Sequence, residues 1–249
     1  MEWNPAQYGK FSDARRQPLL DLLALIGQPR GVRAVDLGCG PGNLTRELAD
    51  HLPESDVVGV DSSAEMLTAA AALARPGLRF EVGRIEDFAA AGGPGKDDYD
   101  LVFSNAALQW LPDHARLVPG LWARVKAGGQ LAVQLPADDF NPLRRVLADV
   151  AGWRHPMGTL DISAYAEILF ALGARDITTF EKIYPHVLPD ADAVLEWARG
   201  TALLPYLERL PPAQRPPYLD EVRRRLHLEY PRRPVFFPFR RIIFHARRA

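Results

Sequence analysis

The chain has 249 residues, of which 47% are hydrophobic and 24% are charged, and its formal net charge at pH 7 is −1. This length and composition predict one large globular domain, or one domain carrying a sizeable insert. The near-neutral charge argues against nucleic acid or an anionic membrane as a partner. The single cysteine, Cys39, excludes an intramolecular disulfide and a cysteine-based zinc cluster. No leader pattern or membrane-length apolar run is visible, so we expect a cytoplasmic protein, with monomer and homodimer both open.

Short apolar strands alternate with amphipathic helices along the first half of the chain. Strands are predicted over 32–38, 56–61, 78–83, 99–105 and 128–136. Helices are predicted over 12–26, 42–52, 63–74 and 114–125, the third of them capped by Ser63. We expect the first helix to begin just before Pro18, and Pro119 with Gly120 to interrupt the fourth.

The second half continues the alternation and then departs from it. Helices are predicted over 142–151 and 163–173, and strands over 174–188 and 236–249. Segment 189–235 carries helical sequence broken by prolines, so we expect a helical insert there. The alternation of apolar strands and helices predicts an α/β fold with a doubly wound parallel sheet covered on both faces.

A glycine-rich turn follows the first strand, in the order Gly38-Cys39-Gly40-Pro41-Gly42. Bare backbone between a strand and a helix suits a phosphate or nucleoside, although a purely structural turn is the alternative. The spacing matches neither the dinucleotide fingerprint, which disfavours a nicotinamide-dependent dehydrogenase, nor the P-loop. Asp61 ends the second strand, where it can accept the hydroxyls of a ribose or cap the next helix.

The cysteine inside this turn is not predicted to be a nucleophile. Cys39 has no histidine near it in the sequence that could activate its thiol. Filling by a small apolar side chain accounts for this residue more simply.

The stretches VDLGCGPGNLT, VVGVDSSAEML, YDLVFSNAALQWL and KAGGQLAVQ resemble the class I S-adenosylmethionine-dependent methyltransferases. The resemblance implies a Rossmann-like seven-stranded sheet whose last strand is antiparallel, with S-adenosylmethionine as cofactor. The cofactor-binding residues that it implies are Asp36, Gly38, Gly40, Gly42, Asp61, Ser62, Met66, Ile85 and Asn105. Arg84 stands where the family usually carries an acid against adenine, which Glu86 or Asp87 could replace.

A narrower resemblance covers nearly the whole chain. MEWNPAQYGKFSDARRQP, SNAALQWLPDH and the segment from VLEWARG to the end are similar to the trans-aconitate 2-methyltransferase family. This resemblance implies a methyl ester formed on a small polycarboxylic acid. It also suggests one domain over 1–249, with an N-terminal helical lid over 1–30 and 189–235 as a cap over the acceptor pocket. An arginine expected near Leu204 is missing, which leaves the identity of the acid open.

The expected acceptor needs positioning rather than a catalytic base, because a carboxylate with a pKa near 4 is already ionised at pH 7. No catalytic side chain and no metal are therefore predicted. The predicted substrate-binding residues are Gln109, Trp110, His114, Arg241, Tyr8 and Arg199, with Trp3 and Phe11 beside Tyr8 on the lid. The alternatives are core packing for Trp110 and the lid aromatics, and a solvent-facing helix start for His114.

Two other functions remain open at this point. The first is methyl transfer to a phenol, an amine or a carbon acceptor, for which a base such as His114 would matter. The second is a protein that binds S-adenosylmethionine without catalysis.

Overall fold

The computed structural model describes residues 12–90, 99–137 and 141–249. These residues cluster into two compact units. The sheet unit comprises Arg15–Pro136, Gly158–Lys182 and Arg241–Ala249, and the helical unit comprises Ala137–Met157, Ile183–Arg240 and the described part of Met1–Ala14. The expected lid over 1–30 and cap over 189–235 stay predictions, and residues 1–11 lie outside the described residues.

Seven strands form one sheet in the order β3-β2-β1-β4-β5-β7-β6. The strands are β1 Arg33–Leu37, β2 Asp56–Asp61, β3 Leu78–Val82, β4 Tyr99–Asn105, β5 Val125–Pro136, β6 Ala174–Leu188 and β7 Val235–Arg248. The pairs among β1 to β5 are parallel, whereas β7 runs antiparallel to β5. The predicted seven-stranded doubly wound sheet with an antiparallel last strand is thereby confirmed.

Ten α-helices connect the strands within the described residues. They are α1 Ser12–Ile26, α2 Asn43–His51, α3 Ala64–Ala70, α4 Ile85–Ala90, α5 His114–Ala123, α6 Pro142–Ala151, α7 Ile162–Ala171, α8 Ala191–Arg199, α9 Leu204–Arg209 and α10 Arg215–Glu229. The predicted helices are present, and α4 is an element that the sequence reading missed. Short 3₁₀ turns cover Ala71–Leu73, Leu108–Trp110 and Pro212–Gln214.

Two expectations about proline were wrong. Helix α1 begins at Ser12, so Pro18 lies inside it, and α5 runs without a break through Pro119. Four apolar residues of α5 are buried, namely Leu117, Val118, Leu121 and Trp122. Packing of this face outweighs the one backbone hydrogen bond that a proline removes.

The core of the sheet unit lies between α1, α2 and the central strands. Leu19, Leu22 and Ile26 of α1 pack against Ala34 and Phe103 of the sheet, all of them nearly inaccessible to solvent. The apolar positions of α1 recur at helical spacing, while β1 and β4 are buried on both faces. This core fixes the ends of β1, β2 and β4.

The helical unit has its own core, which is rich in aromatic side chains. Tyr206 and Tyr218 stack with their ring centroids 6.2 Å apart, and Trp197 packs against Phe237. Tyr218 also donates its hydroxyl to the Leu147 carbonyl over 3.1 Å. The unit therefore buries an apolar interior within its own boundaries.

Candidate functional site

The strand order places a crevice next to the first strand. β1 pairs with β2 on one side and with β4 on the other, so the order of strands reverses there. Ligands of open α/β sheets bind outside the carboxyl ends of the strands at such a switch point. The glycine turn after β1 and the segment after β4 both begin at this edge.

The glycine turn is anchored to the neighbouring strand by its backbone. The amides of Gly38 and Cys39 both donate to the Val60 carbonyl, over 2.8 and 3.1 Å. Gly38 has φ +77°, and a Cβ there would lie 2.2 Å from Cβ of Ala107, so no other residue fits. Around Gly40 nothing lies within 4 Å of a Cβ position, which leaves room for a ligand against its backbone.

Asp61 holds the turn from the end of β2. Its Oδ2 accepts the Gly40 amide over 2.8 Å, and its Oδ1 accepts the Ser63 amide over 2.8 Å. Helix α3 is capped by Ser63, whose hydroxyl accepts the Met66 amide, so the cap role proposed for Asp61 falls to Ser63. Each carboxylate oxygen retains acceptor capacity for ligand hydroxyls.

Asp36 lies buried beneath the turn and is only 3% exposed. Burial raises the pKa of this carboxyl to about 7, and the nearby charge of Asp61 adds to the increase. Thr45 opposes the shift by donating its hydroxyl to Asp36 Oδ2 over 2.6 Å. A buried acid that titrates near neutral pH at a ligand crevice is typical of a functional site.

Cys39 is buried in the same turn. Burial and the charges of Asp36 and Asp61 raise the pKa of its thiol strongly, so the sulfur stays protonated.

Three further predicted residues follow the carboxyl ends of β2 and β3. Ser62 is exposed, Met66 is buried, and the Ile85 side chain lies 3.6 Å from the Cβ position of Gly38. Arg84 is exposed and donates to Glu86 over 2.8 Å. Of the two acids proposed to replace the missing family acid, Glu86 is thus engaged by the arginine itself.

Beyond β4 the chain makes a strained turn that carries polar side chains. Ala106 has φ +59°, and its amide donates to the Gln134 carbonyl over 2.8 Å. Gln109 is buried and donates Nε2 to the Ala106 carbonyl, whereas its Oε1 has no hydrogen-bond partner. Asn105 Oδ1 is likewise buried without a partner. Such open acceptors suit a bound ligand or an ordered water.

His114 is fully buried, so the solvent-facing alternative is wrong. Its Nε2 faces the Leu108 carbonyl at 2.8 Å, and its Nδ1 faces the Tyr165 hydroxyl at 2.6 Å. Since a carbonyl only accepts, Nε2 carries the proton and Nδ1 accepts from Tyr165. Burial also lowers the pKa of the imidazole, so the ring is neutral and both nitrogens are engaged within the protein.

The other predicted acceptor residues are placed as follows. Trp110 is half-buried on the 3₁₀ turn, and Arg241 of β7 is buried and donates to Gln134 Oε1 over 3.0 Å. Arg199 lies in the helical unit and pairs with Glu196 over 3.0 Å. Tyr8, Trp3 and Phe11 lie outside the described residues.

Three residues of the site were missed by sequence reasoning. Thr45 and Tyr165 act through partners distant in sequence, so no local pattern marks them. Gln134 carries a weak signal, because it is a polar residue in an otherwise apolar strand end.

Comparison with known proteins identifies the family of the chain that carries this crevice. A methyltransferase domain family matches residues 34–129. Trans-aconitate 2-methyltransferases from Deinococcus radiodurans and Variovorax paradoxus are 45% and 41% identical, covering 100% and 93% of this chain and 99% and 91% of theirs. The corresponding protein from Azoarcus sp. is 38% identical, with 98% of both chains covered.

Solved structures agree on the fold. YcgJ from Bacillus subtilis has a TM-score of 0.59 at 14% identity, covering 94% of this chain and 98% of its own. A methyltransferase from Thiobacillus denitrificans, solved in complex with S-adenosyl-L-homocysteine, has a TM-score of 0.56 at 19% identity and 99% coverage of both chains.

The fold, the glycine turn and the matching domain define a class I methyltransferase dependent on S-adenosylmethionine. Sequence identity of 45% over the full length of the Deinococcus radiodurans relative narrows this class to one family. The chain belongs to the trans-aconitate 2-methyltransferase family.

Among the described residues, none of the helices has the length and apolar character needed to cross a membrane. Nor do the described ranges bring together three side chains able to hold a metal ion.

Proposed function

We propose that the protein transfers the methyl group of S-adenosylmethionine to one carboxylate of trans-aconitate, giving a monomethyl ester. The observation that carries the proposal is the glycine turn braced by Asp61, in a chain 45% identical over its full length to a protein named for this reaction.

The residues at the switch point fit the cofactor. The open backbone at Gly40 and the spare acceptor capacity of Asp61 suit the ribose, and the buried acid Asp36 suits a cationic group. Ser62, Met66 and Ile85 border the adenosine side, with Gly38, Gly42 and Asn105 completing the set. When bound, S-adenosylmethionine supplies an electrophilic methyl group on a sulfonium.

The acceptor side favours an acid that is ionised before it binds. A carboxylate needs no general base at pH 7. His114, the candidate base for a phenol or amine acceptor, has both ring nitrogens engaged and a lowered pKa. This arrangement supports a carboxylate acceptor over the alternatives that require proton removal.

The remaining roles follow from placement. Gln109, through the second hydrogen of its Nε2 group, and Arg241 are proposed to bind the acid, and Trp110 is proposed to line its pocket. His114 is better suited to positioning the turn than to direct contact, and Tyr8 and Arg199 stay predictions. The cytoplasmic location and the absence of a nucleic-acid partner also stay predictions.

A transfer assay tests this proposal. Purified protein is incubated with S-adenosylmethionine and, separately, trans-aconitate, cis-aconitate, citrate, isocitrate and a monocarboxylic acid, and esters are detected by mass spectrometry. We expect turnover on trans-aconitate and none with Asp61→Ala. Cofactor binding without ester formation from any acid would overturn the carboxylate acceptor and favour a different acceptor or a binding protein.

A further inference from the structure

Strand β5 carries two buried glutamines four residues apart, Gln130 and Gln134. Because side chains alternate along a strand, both point to the same face of the sheet. Each bonds a residue of the antiparallel neighbour β7 that lies two positions diagonally across. Gln130 meets His245, which is opposite Ala132, and Gln134 meets Arg241 in the same relation.

The first pair is closed. His245 Nε2 lies 2.9 Å from Gln130 Oε1, and Gln130 Nε2 donates to the Ile26 carbonyl over 3.3 Å. Both ends of this amide are therefore satisfied within the protein. This pair therefore offers no unpaired amide atom to a ligand.

The second pair is open. Arg241 Nη1 donates to Gln134 Oε1 over 3.0 Å. A guanidinium only donates, so the atom facing it must be the amide oxygen, and the Nε2 group points away. This Nε2 is buried in a side chain that is 0% exposed, and it has no hydrogen-bond partner among the described residues.

A buried donor left unpaired is costly, so it is expected to meet a ligand or an ordered water. Its surroundings favour an anion, because the guanidinium that orients it is a buried cation. Its place favours the acceptor, because Gln134 is paired in register with Asn105 at the end of β4, beside the predicted cofactor site.

We propose that Gln134 Nε2, oriented by Arg241, donates a hydrogen bond to a carboxylate of the acceptor and so determines its specificity for acids. The inference rests on the proposed function, because it names a binding residue for the same substrate class. Arg241 holds the Gln134 side chain in place and supplies a positive charge. The Gln134 amide supplies a directional hydrogen bond to the carboxylate.

The experiment compares matched variants at the two glutamines. Gln134→Met removes the open donor at nearly constant volume, and Gln130→Met makes the same change in the closed pair. Gln134→Glu places a negative charge beside Arg241. Trans-aconitate is titrated calorimetrically into each variant saturated with S-adenosylhomocysteine, and cofactor affinity, melting temperature and the KM for trans-aconitate are measured in parallel.

We expect Gln134→Met to weaken trans-aconitate binding and raise its KM by roughly 10- to 100-fold, with cofactor affinity unchanged. Gln134→Glu should weaken binding further. Gln130→Met should lower the melting temperature and leave trans-aconitate affinity within about twofold, because two closed hydrogen bonds are lost away from the site.

The inference is overturned if Gln134→Met binds trans-aconitate as the wild type does, which would assign the donor to a structural water. Equal loss of affinity in both methionine variants would also overturn it. If the wild type binds trans-aconitate through Gln134 but forms no ester, the proposed function fails while the binding role stands. If it binds no acid at all, both fail.

Discussion

Two positions on β5 use the same chemistry for different purposes. Midway along β5, Gln130 and His245 satisfy each other and the Ile26 carbonyl, whereas nearer its carboxyl end Gln134 bonds Arg241 and leaves its Nε2 donor open. The register, the residue type and the depth of burial are shared. Unfilled hydrogen-bonding capacity, rather than burial of a polar residue, therefore distinguishes the pair proposed to meet a ligand from the closed pair.

The rest of the sheet unit shows the same contrast. A cleft of about 410 Å³ lies at the edge of the sheet where the parallel strands begin, and its lining includes Glu54, Ser55 and Arg75. Glu54 pairs with Arg30 and Arg75 with Asp50, while the Ser55 hydroxyl accepts the Val32 amide. The polar side chains of this cleft are thus engaged within the protein, so its volume alone does not mark a ligand site.

The largest expected effect is on stability, and it distinguishes two glycines that have the same φ angle but different surroundings. Gly38 at the carboxyl edge and Gly128 at the start of β5 both have φ +77°, but only at Gly38 would a Cβ meet another atom, 2.2 Å away on Ala107. Gly38→Ala should lower the free energy of unfolding by about 3–5 kcal/mol, against about 1–2 kcal/mol for Gly128→Ala. Urea unfolding monitored by circular dichroism measures both.

A second substitution at Ala107 provides the control. Adding Ala107→Gly to Gly38→Ala removes the clash, so the loss of stability should shrink to that of Gly128→Ala. An unchanged loss would mean that backbone strain alone explains the glycine.

Two aspartates that accept backbone amides, one at each end of the parallel strands, test whether only the carboxyl edge of the sheet binds the cofactor. Asp61 holds the Gly40 and Ser63 amides at the carboxyl edge, and Asp100 at the amino end of β4 accepts the Arg33 amide over 2.8 Å. Asp61→Ala should weaken the binding of S-adenosylhomocysteine about 100-fold, because it removes the proposed ribose acceptor and loosens the turn. Asp100→Ala should lower the melting temperature only. If calorimetric titration gave both variants the same affinity for S-adenosylhomocysteine, the proposed role of Asp61 in binding the cofactor would be contradicted.

Opposite pH dependences of two buried residues, His245 and Asp36, give a third test. Burial lowers the pKa of His245 to about 4 and raises that of Asp36 to about 7. Between pH 7 and 5 the unfolded chain takes up the histidine proton, so this residue destabilises the fold as pH falls. In the same range the folded protein takes up the Asp36 proton, so this residue stabilises it. Each effect amounts to about 2 kcal/mol.

The two contributions should therefore nearly cancel in the wild type. Relative to the wild type, Asp36→Asn should lose about 2 kcal/mol of stability on going from pH 7 to pH 5, and His245→Gln should gain about as much. Comparison with the wild type removes the contributions of His114 and His155, whose pKa values burial also lowers. Unfolding curves at both pH values with no divergence between the variants would contradict this balance.

Local signals in the sequence were sufficient for the sheet, and they marked the crevice where the cofactor is proposed to bind. Apolar runs predicted the strands, and the glycine turn with Asp61 predicted the crevice, because their residues lie within a few positions of a strand end. The proline rule failed in α5, where burial of Leu117, Val118, Leu121 and Trp122 outweighed one lost hydrogen bond.

The acceptor side could not be read in the same way. Gln134 and Arg241 are 107 positions apart, and only the antiparallel register of β5 and β7 joins them. His114 was singled out from its position in the sequence, but its buried hydrogen bond joins it to Tyr165, which lies 51 residues further along. Residue type and spacing identified candidates there, whereas their bonding partners depend on tertiary contacts.

The smallest effect concerns the support of the turn after β4. The Tyr165 hydroxyl accepts the Leu160 amide and donates to His114, whose other nitrogen holds the Leu108 carbonyl. Tyr165→Phe should cost about 1–2 kcal/mol of stability and raise the KM for trans-aconitate a few-fold, because the turn carries Gln109. Tyr218→Phe in the helical unit removes a hydroxyl with one backbone acceptor and is the matched control. If both variants lost stability while KM stayed constant, His114 and Tyr165 would be purely structural.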